Sequence, residues 1–226
     1  MRPLRLVQPL LALVLASTVW AADAPDAQAI LKTVRAAQST IDRALTGQLR
    51  TGPKKIPFKL TWKDGDVRWE FQDPAQTLVL KLGAKASSLE EITPDGAKKI
   101  AANRFDDRVR DSDITYEDLA MRFLYWQDAT VEGDQTILLQ KCWQLLLRPA
   151  GEPSSYTRVR VWISQENGAL LKAEAFGKDD KLIRTFRVVS GQKTDDGLWI
   201  LKSMRIEPAN ARSGTDRTYL EIDAAR

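Results

Sequence analysis

Hydrophobic positions along this chain follow two periods, and the point where one gives way to the other divides it. Ile30, Val34, Ala37, Ile41 and Leu45 recur at spacings of three and four, with Leu31 and Ala44 widening the stripe and Lys32, Arg35, Asp42 and Arg43 mostly off it. That spacing predicts one amphipathic helix, with Pro25 suited to its first turn and Gly47 following its end. From Phe58 onward the period is two. Phe58, Leu60 and Trp62 share one face of a strand, Asp64-Gly65 supplies a tight turn, and Val67, Trp69 and Phe71 share a face of the next, which predicts a hairpin. Leu78, Leu80 and Leu82 alternate again, Pro94-Asp95-Gly96 is a turn signature, and Lys98 to Ala101 can pair back.

The second half repeats this grammar. Its runs are Ile137 to Leu147, Val159 to Ile163, Leu170 to Phe176, Leu182 to Val189, Trp199 to Ile206 and Thr215 to Ile222, parted by Asn167-Gly168, Lys178 to Asp180 and Asp195-Asp196-Gly197. Such short spacers leave no room for helical crossovers, so neighbouring strands should be antiparallel. The expectation is a mainly β (α+β) fold: a strongly curved antiparallel sheet or half-open β-barrel of about 10–11 strands. One stretch breaks the alternation. Between Asn103 and Trp126 a charged segment leads into Thr115 and Asp118, spaced as a capping box, and then Tyr116, Leu119, Phe123 and Trp126 follow at helical spacing. This short middle helix and the N-terminal helix would together cover one side of the sheet.

Composition narrows the chemistry. Arg2 and Arg5, the apolar run Leu10 to Ala16 and the small residue closing Val19-Trp20-Ala21 form an export signal, with the cut placed after Ala21. The apolar run is too short to span a bilayer, and no Cys follows the cut to accept a lipid. Residues 22–226 then form one domain. Losing Arg2 and Arg5 lowers the net charge from +4 to +2, too even a balance for a nucleic-acid partner, and Lys54-Lys55 reads as a solvated turn. Cys142 is the single cysteine and there is no His, so no internal disulfide can form and the usual zinc, copper and haem ligands are missing. No cofactor is expected. Cys142, inside an apolar run, reads as a small buried hydrophobe.

Catalysis finds little to work with. The acidic pairs Glu90-Glu91, Asp106-Asp107, Asp179-Asp180 and Asp195-Asp196 are adjacent in sequence, and adjacent strand residues point to opposite faces. Ser and Thr nucleophiles lack a His partner. The aromatic residues are more suggestive, because Trp62, Trp69, Trp143, Trp162 and Trp199 all fall in predicted strands. Each alone fits a packed core, whereas together with the Leu residues they suit the lining of an apolar pocket.

The exported start, the helix before the hairpins, the segment Ser112-Asp113-Ile114-Thr115-Tyr116-Glu117-Asp118-Leu119, and Leu145-Leu146-Leu147-Arg148-Pro149 followed by Tyr156-Thr157-Arg158-Val159-Arg160-Val161-Trp162-Ile163 resemble the outer-membrane lipoprotein-sorting protein family, the LolA-like proteins of Gram-negative bacteria. The resemblance implies a periplasmic carrier that holds the acyl chains of a lipid or lipoprotein in a half-open barrel lidded by helices. It also implies an inner-membrane donor transporter and an outer-membrane acceptor. Asp179-Asp180 departs from the family's Asp-Gly turn, and a lid-closing arginine has three candidates, Arg43, Arg50 and Arg68. The candidate lining residues are Leu60, Trp62, Val67, Trp69, Phe71, Leu80 and Trp143, faced by Tyr116, Leu119 and Phe123 from the middle helix. An alternative of the same fold is a periplasmic lipid-sensing or protein-binding regulator, which carries a second C-terminal domain; here Arg226 follows directly on the last expected strand.

Overall fold

The computed structural model describes residues 25–39, 42–151, 153–211 and 217–224, so the expected export signal Met1 to Ala21 lies outside the described residues. Among the described residues thirteen antiparallel strands form one sheet in two meanders. The first comprises β1 (Arg43–Thr51), β2 (Lys54–Lys63), β3 (Asp66–Phe71), β4 (Gln76–Leu82), β5 (Ser87–Thr93) and β6 (Gly96–Lys99). The second comprises β7 (Asp128–Ile137), β8 (Gln140–Arg148), β9 (Arg158–Ser164), β10 (Leu170–Phe176), β11 (Leu182–Lys193), β12 (Trp199–Pro208) and β13 (Thr218–Ile222). Spatially the order is β6-β5-β4-β3-β2-β1-β13-β12-β11-β10-β9-β8-β7. The last strand therefore joins the two meanders by pairing with the first, Gly47 opposite Ile222 and Thr51 opposite Thr218.

Two strands beyond the expected ten or eleven have identifiable causes. The N-terminal helix α1 (Ala27–Ser39) is shorter than its stripe implied: Ala27, Leu31 and Val34 are buried, Ile30 is half-buried and Ala37 is exposed. Ile41 lies outside the described residues. Leu45 and Gly47 belong to β1, so Gly47 is no helix stop. A Cβ on Gly47 would stand 2.2 Å from the Glu221 carbonyl oxygen and 2.8 Å from Phe58 Cζ, and only glycine lets β13 and the Phe58 ring approach this closely. The second surprise is β7. Ile137 to Leu147 is not one strand, because Leu138 and Leu139 both adopt positive φ (49° and 63°) and turn the chain back. Asp128–Ile137 escapes a pattern reading because it is an edge strand whose alternation is confined to Ala129 and Val131, which pack against the core, before the exposed run Glu132 to Thr136.

The edges of the sheet, β6 and β7, are consecutive in the chain, so residues 100–127 must cross the gap between them. That crossing contains helix α2 (Tyr116–Ala120), started by the expected capping box: Thr115 accepts from the Asp118 N–H, and Asp118 accepts from the Thr115 N–H. Met121, in the left-handed region at φ 45°, ends it, and a short 3-10 turn follows over Arg122–Tyr125. Helix α1 leans on this turn and also touches β4 and β7. Asp26 accepts from the Gln28 N–H at its start, and the Gln28 amide donates to the Trp126 and Gln127 carbonyls at 2.9 Å each.

Buried charges pin the crossing segment. The Tyr156 hydroxyl donates to Asp118, whose other oxygen lies 3.3 Å from Arg184 Nε. Glu117 pairs with Arg122 and accepts from Ser154 Oγ at 2.8 Å, and Arg184 also donates to the Asp113 carbonyl at 2.5 Å. Burial pushes the Asp118 and Glu117 carboxyls above their ordinary range, against the pull of their arginines, and burial beside Asp118 raises the Tyr156 hydroxyl well above its own. Further along, Arg110 donates to the carbonyls of Gln72, Asp73 and Pro74, and Lys54 pairs with Asp111. With the Asp113 N–H donating to Thr218 Oγ1 at 3.3 Å, residues 104–118 are fastened to β2, the β3–β4 turn, the segment before β9, β11 and β13, all at one end of the sheet.

Two stability measurements check this account. Gly47→Ala should lower the unfolding free energy by about 1–3 kcal/mol through overpacking at the β1–β13 junction, read as a reduced urea midpoint with unchanged slope. Asp118→Ala should cost about 3–5 kcal/mol because it strands Arg184 and the Tyr156 hydroxyl and removes half the capping box; a loss under about 1 kcal/mol in the same assay would show that the pin carries little.

Candidate functional site

Strand register decides what the inner face presents. Leu60 stands opposite Trp69, which stands opposite Leu78; Trp62 stands opposite Val67, then Leu80, then Leu89. Phe58 faces Phe71, and its ring meets Trp69 edge-on at 4.9 Å between centroids. These side chains join Leu145 and Leu147 of β8, Val159, Val161 and Ile163 of β9, and the buried face of α1 in one continuous apolar cluster. All ten sequence-derived lining candidates fall in it. Leu60, Val67, Trp69, Phe71, Leu80, Tyr116, Leu119 and Phe123 are buried, while Trp62 and Trp143 are half-buried at its margin.

The two ends of this cluster differ. One is closed by residues 104–118. At the other, Leu45, Trp62, Leu82, Trp143, Leu170 and Leu201 are packed against the cluster yet only partly buried, and each sits near the strand end remote from the pinned segment. The same end carries the hairpin tips, where Leu139 is 98% and Trp199 66% exposed, with Leu138 and Leu198 also in the open. Phe105, Ala129 and Ile183 are half-buried toward the pinned end as well, but Trp62, Trp143 and the most exposed large apolar side chains gather at this one, which forms the rim.

Among the ring nitrogens, Trp62 Nε1 and Trp69 Nε1 are buried with no hydrogen-bond partner. By contrast, buried Trp162 donates to Gln135 Oε1 at 2.7 Å. Orphaned donors of this kind carry a desolvation cost of about 1–3 kcal/mol each.

The three arginines considered as a lid closure lie elsewhere. Arg43 pairs with Asp196 in the β11–β12 turn, Arg50 with Glu221 of the neighbouring strand at 2.7 Å, and Arg68 with Glu70 of its own strand at 2.8 Å. Contact between the helical elements is made by Arg35 of α1, which donates to the Leu124 carbonyl at 2.6 Å and lies over the Tyr125 ring. Sequence reading marked the Thr115–Asp118 box but not Arg184 or Tyr156, because partners so far apart in the chain leave no local pattern. Arg35 was legible only as a polar residue off the apolar stripe.

The polar features separate rather than converge. Glu90 pairs with Lys81, whereas Glu91 faces Arg104. Asp180 and Asp196, in turns, bond to Arg158 and Arg43, and both carboxyls are held below their usual range, Asp180 chiefly by Arg158 and Asp196 chiefly by the Thr194 hydroxyl. Asp42, Arg43, Ala44, Leu45, Thr46, Lys59, Asp223 and Ala224 line a groove of about 660 Å³, too polar to hold a hydrocarbon chain. Cys142 is buried and free, its thiol raised by burial. Among the described residues no group of three or more His, Cys, Asp or Glu is placed to hold a metal, and no helix is long and apolar enough to cross a membrane.

Comparison with known proteins follows the architecture. A domain named for outer membrane lipoprotein sorting, from Vibrio parahaemolyticus, superposes with a TM-score of 0.69 at 17% identity, over 88% of this chain and 91% of that one. A DUF1329 family protein from Desulfovibrio piger gives 0.65 at 16% identity, over 87% and 91%. A LolA superfamily protein from Nitrosomonas europaea gives 0.62 at 17%, over 90% and 94%. No curated protein matches at the sequence level. A family model described as "Uncharacterized protein" matches residues 95–226, from β6 through the crossing segment to the last strand. With more than half of its length so matched and with this sheet and crossing segment, the chain belongs to that family and has a LolA-like fold.

Proposed function

We propose that the protein is a periplasmic carrier that takes up the acyl chains of a lipid or lipoprotein against the inner face of its sheet and moves them toward the outer membrane. The observation that carries this reading is the difference between the two ends of the apolar interior: buried ion pairs pin the crossing segment at one, while half-buried Trp62 and Trp143 and the most exposed apolar side chains gather at the other. Each methylene transferred from water into such an interior is stabilised by about 0.8 kcal/mol, so an acyl chain gains more than a polar ligand of equal size. Helix α1 holds the sheet by side-chain packing and a few end contacts, and it can swing away without breaking a strand ladder. The inner face then opens at the rim, where exposed Leu138, Leu139 and Trp199 would meet a lipid surface first.

In this reading Leu60, Trp62, Val67, Trp69, Phe71, Leu80 and Trp143 form the wall, and Tyr116, Leu119 and Phe123 the opposite side. An inner-membrane donor and an outer-membrane acceptor complete the route. Export is supported by the sequence of Met1 to Ala21, with the cut after Ala21 leaving residues 22–226 as the working domain.

Native mass spectrometry of the protein purified from the periplasm tests the proposal. A co-purified acyl lipid is expected. Trp143→Asp, at the half-buried rim, should cut lipid occupancy at least about tenfold while circular dichroism stays unchanged, because a charge there opposes hydrocarbon more than it opposes folding. Protein that emerges free of lipid, and takes none from vesicles of inner-membrane composition, would overturn the carrier reading.

A further inference from the structure

We propose that the indole N–H groups of Trp62 and Trp69 hold the carbonyl oxygens of the bound lipid, so that the site selects acyl esters or amides over hydrocarbon chains lacking a carbonyl. This deepens the carrier reading and rests on it. Both nitrogens are buried without an acceptor. Their surroundings explain why. Across the strands Trp69 faces only Leu60 and Leu78, and Trp62 faces Val67 on one side and Arg43 on the other, side chains with no acceptor to offer. Backbone carbonyls on β2 and β3 are committed to the ladder. The Trp69 ring is also fixed edge-on against Phe58, so it is poorly placed to turn in search of a partner.

Phenylalanine at either position would fill an apolar wall without the cost of an orphaned donor. Two such donors on one face therefore point to an acceptor that arrives with the ligand. Their placement fits the anatomy of a diacyl lipid. Trp62 is one residue from the end of β2 at the rim and is half-buried, whereas Trp69, opposite Leu60, lies one step deeper and is 94% buried. Diagonal neighbours on adjacent antiparallel strands are about 7–8 Å apart, a separation that the two ester carbonyls of one diacylglyceryl unit can bridge. With the carbonyls there, the polar head stays outside the rim. The tails run inward past Phe71 and Phe58, along the rest of β2 at about 3.3 Å per residue.

The same carbonyl chemistry occurs in a diacyl phospholipid and in a lipoprotein's acylated N-terminus. The test compares binding of dioleoyl phosphatidylethanolamine with its dioleyl-ether counterpart, which has the same chains and head but no carbonyls, using the full mature protein and native mass spectrometry with competition. The ester should bind about tenfold more tightly. Trp62→Phe with Trp69→Phe should erase that preference while ether binding persists. Displacement of the ester by a triacylated lipopeptide at lower concentration assigns the carbonyls to a lipoprotein, and resistance to it assigns them to a phospholipid.

Equal binding of ester and ether by the unaltered protein would overturn the assignment and leave the carrier reading standing. So would a preference that survives in the double variant. Binding of neither lipid would overturn both.

Discussion

Pairing between β1 and β13 is the contact on which the rest of the molecule depends. It places the C-terminal strand beside the N-terminal one and so turns two separate meanders into a single sheet. Once that seam is made, the free edges are β6 and β7, and the chain between them has no path except across the opening. The cap is therefore a consequence of topology. Gly47 is where the seam is tightest, since the Glu221 carbonyl and the Phe58 ring occupy the space a side chain would need.

The cap and the sheet are held together by different forces, and the difference bears on function. Inside the sheet, apolar side chains from successive strands meet in register, an interaction that is non-directional and tolerates exchange of one hydrocarbon for another. At the sealed end the contacts are directional: Glu117, Asp118, Arg122, Arg184 and Tyr156 form bonds that have no equivalent once broken. On the carrier reading proposed above, a ligand that competes for greasy surface would displace α1 and the rim rather than the buried ion pairs, and uptake and release would use the end where half-buried Trp62 and Trp143 and the exposed hairpin tips lie.

Sheet register was largely legible, because a period of two with Asp-Gly and Asn-Gly turns leaves little freedom in how hairpins pair. The Phe58–Trp62, Val67–Phe71 and Leu78–Leu82 runs read directly as β2, β3 and β4. So did the capping box at Thr115, a signal contained in four residues. Failures came where local pattern and final environment disagree. Leu45 sits at helical spacing from Ile41, but the ladder to β2 claims it for a strand. The edge strand β7 alternates only at Ala129 and Val131, and Leu138-Leu139 make a turn without the residues that usually announce one. The site was legible as a set of apolar positions but not as a site with two unlike ends, since the ends are distinguished by contacts between distant segments.

By itself, then, the sequence determined the antiparallel class, most of the strands, the two helical elements, and which side chains share a strand face but not which face turns inward, because each of these is decided by neighbours a few residues away. Tertiary structure alone decided that β13 inserts beside β1, that the link between β6 and β7 becomes the cap, that Arg184 and Tyr156 rather than Arg43, Arg50 or Arg68 grip it, and that two inward tryptophans lack an acceptor. Those outcomes rest on pairings between residues far apart in the chain. Their free energy exists only after the loop between them has been closed.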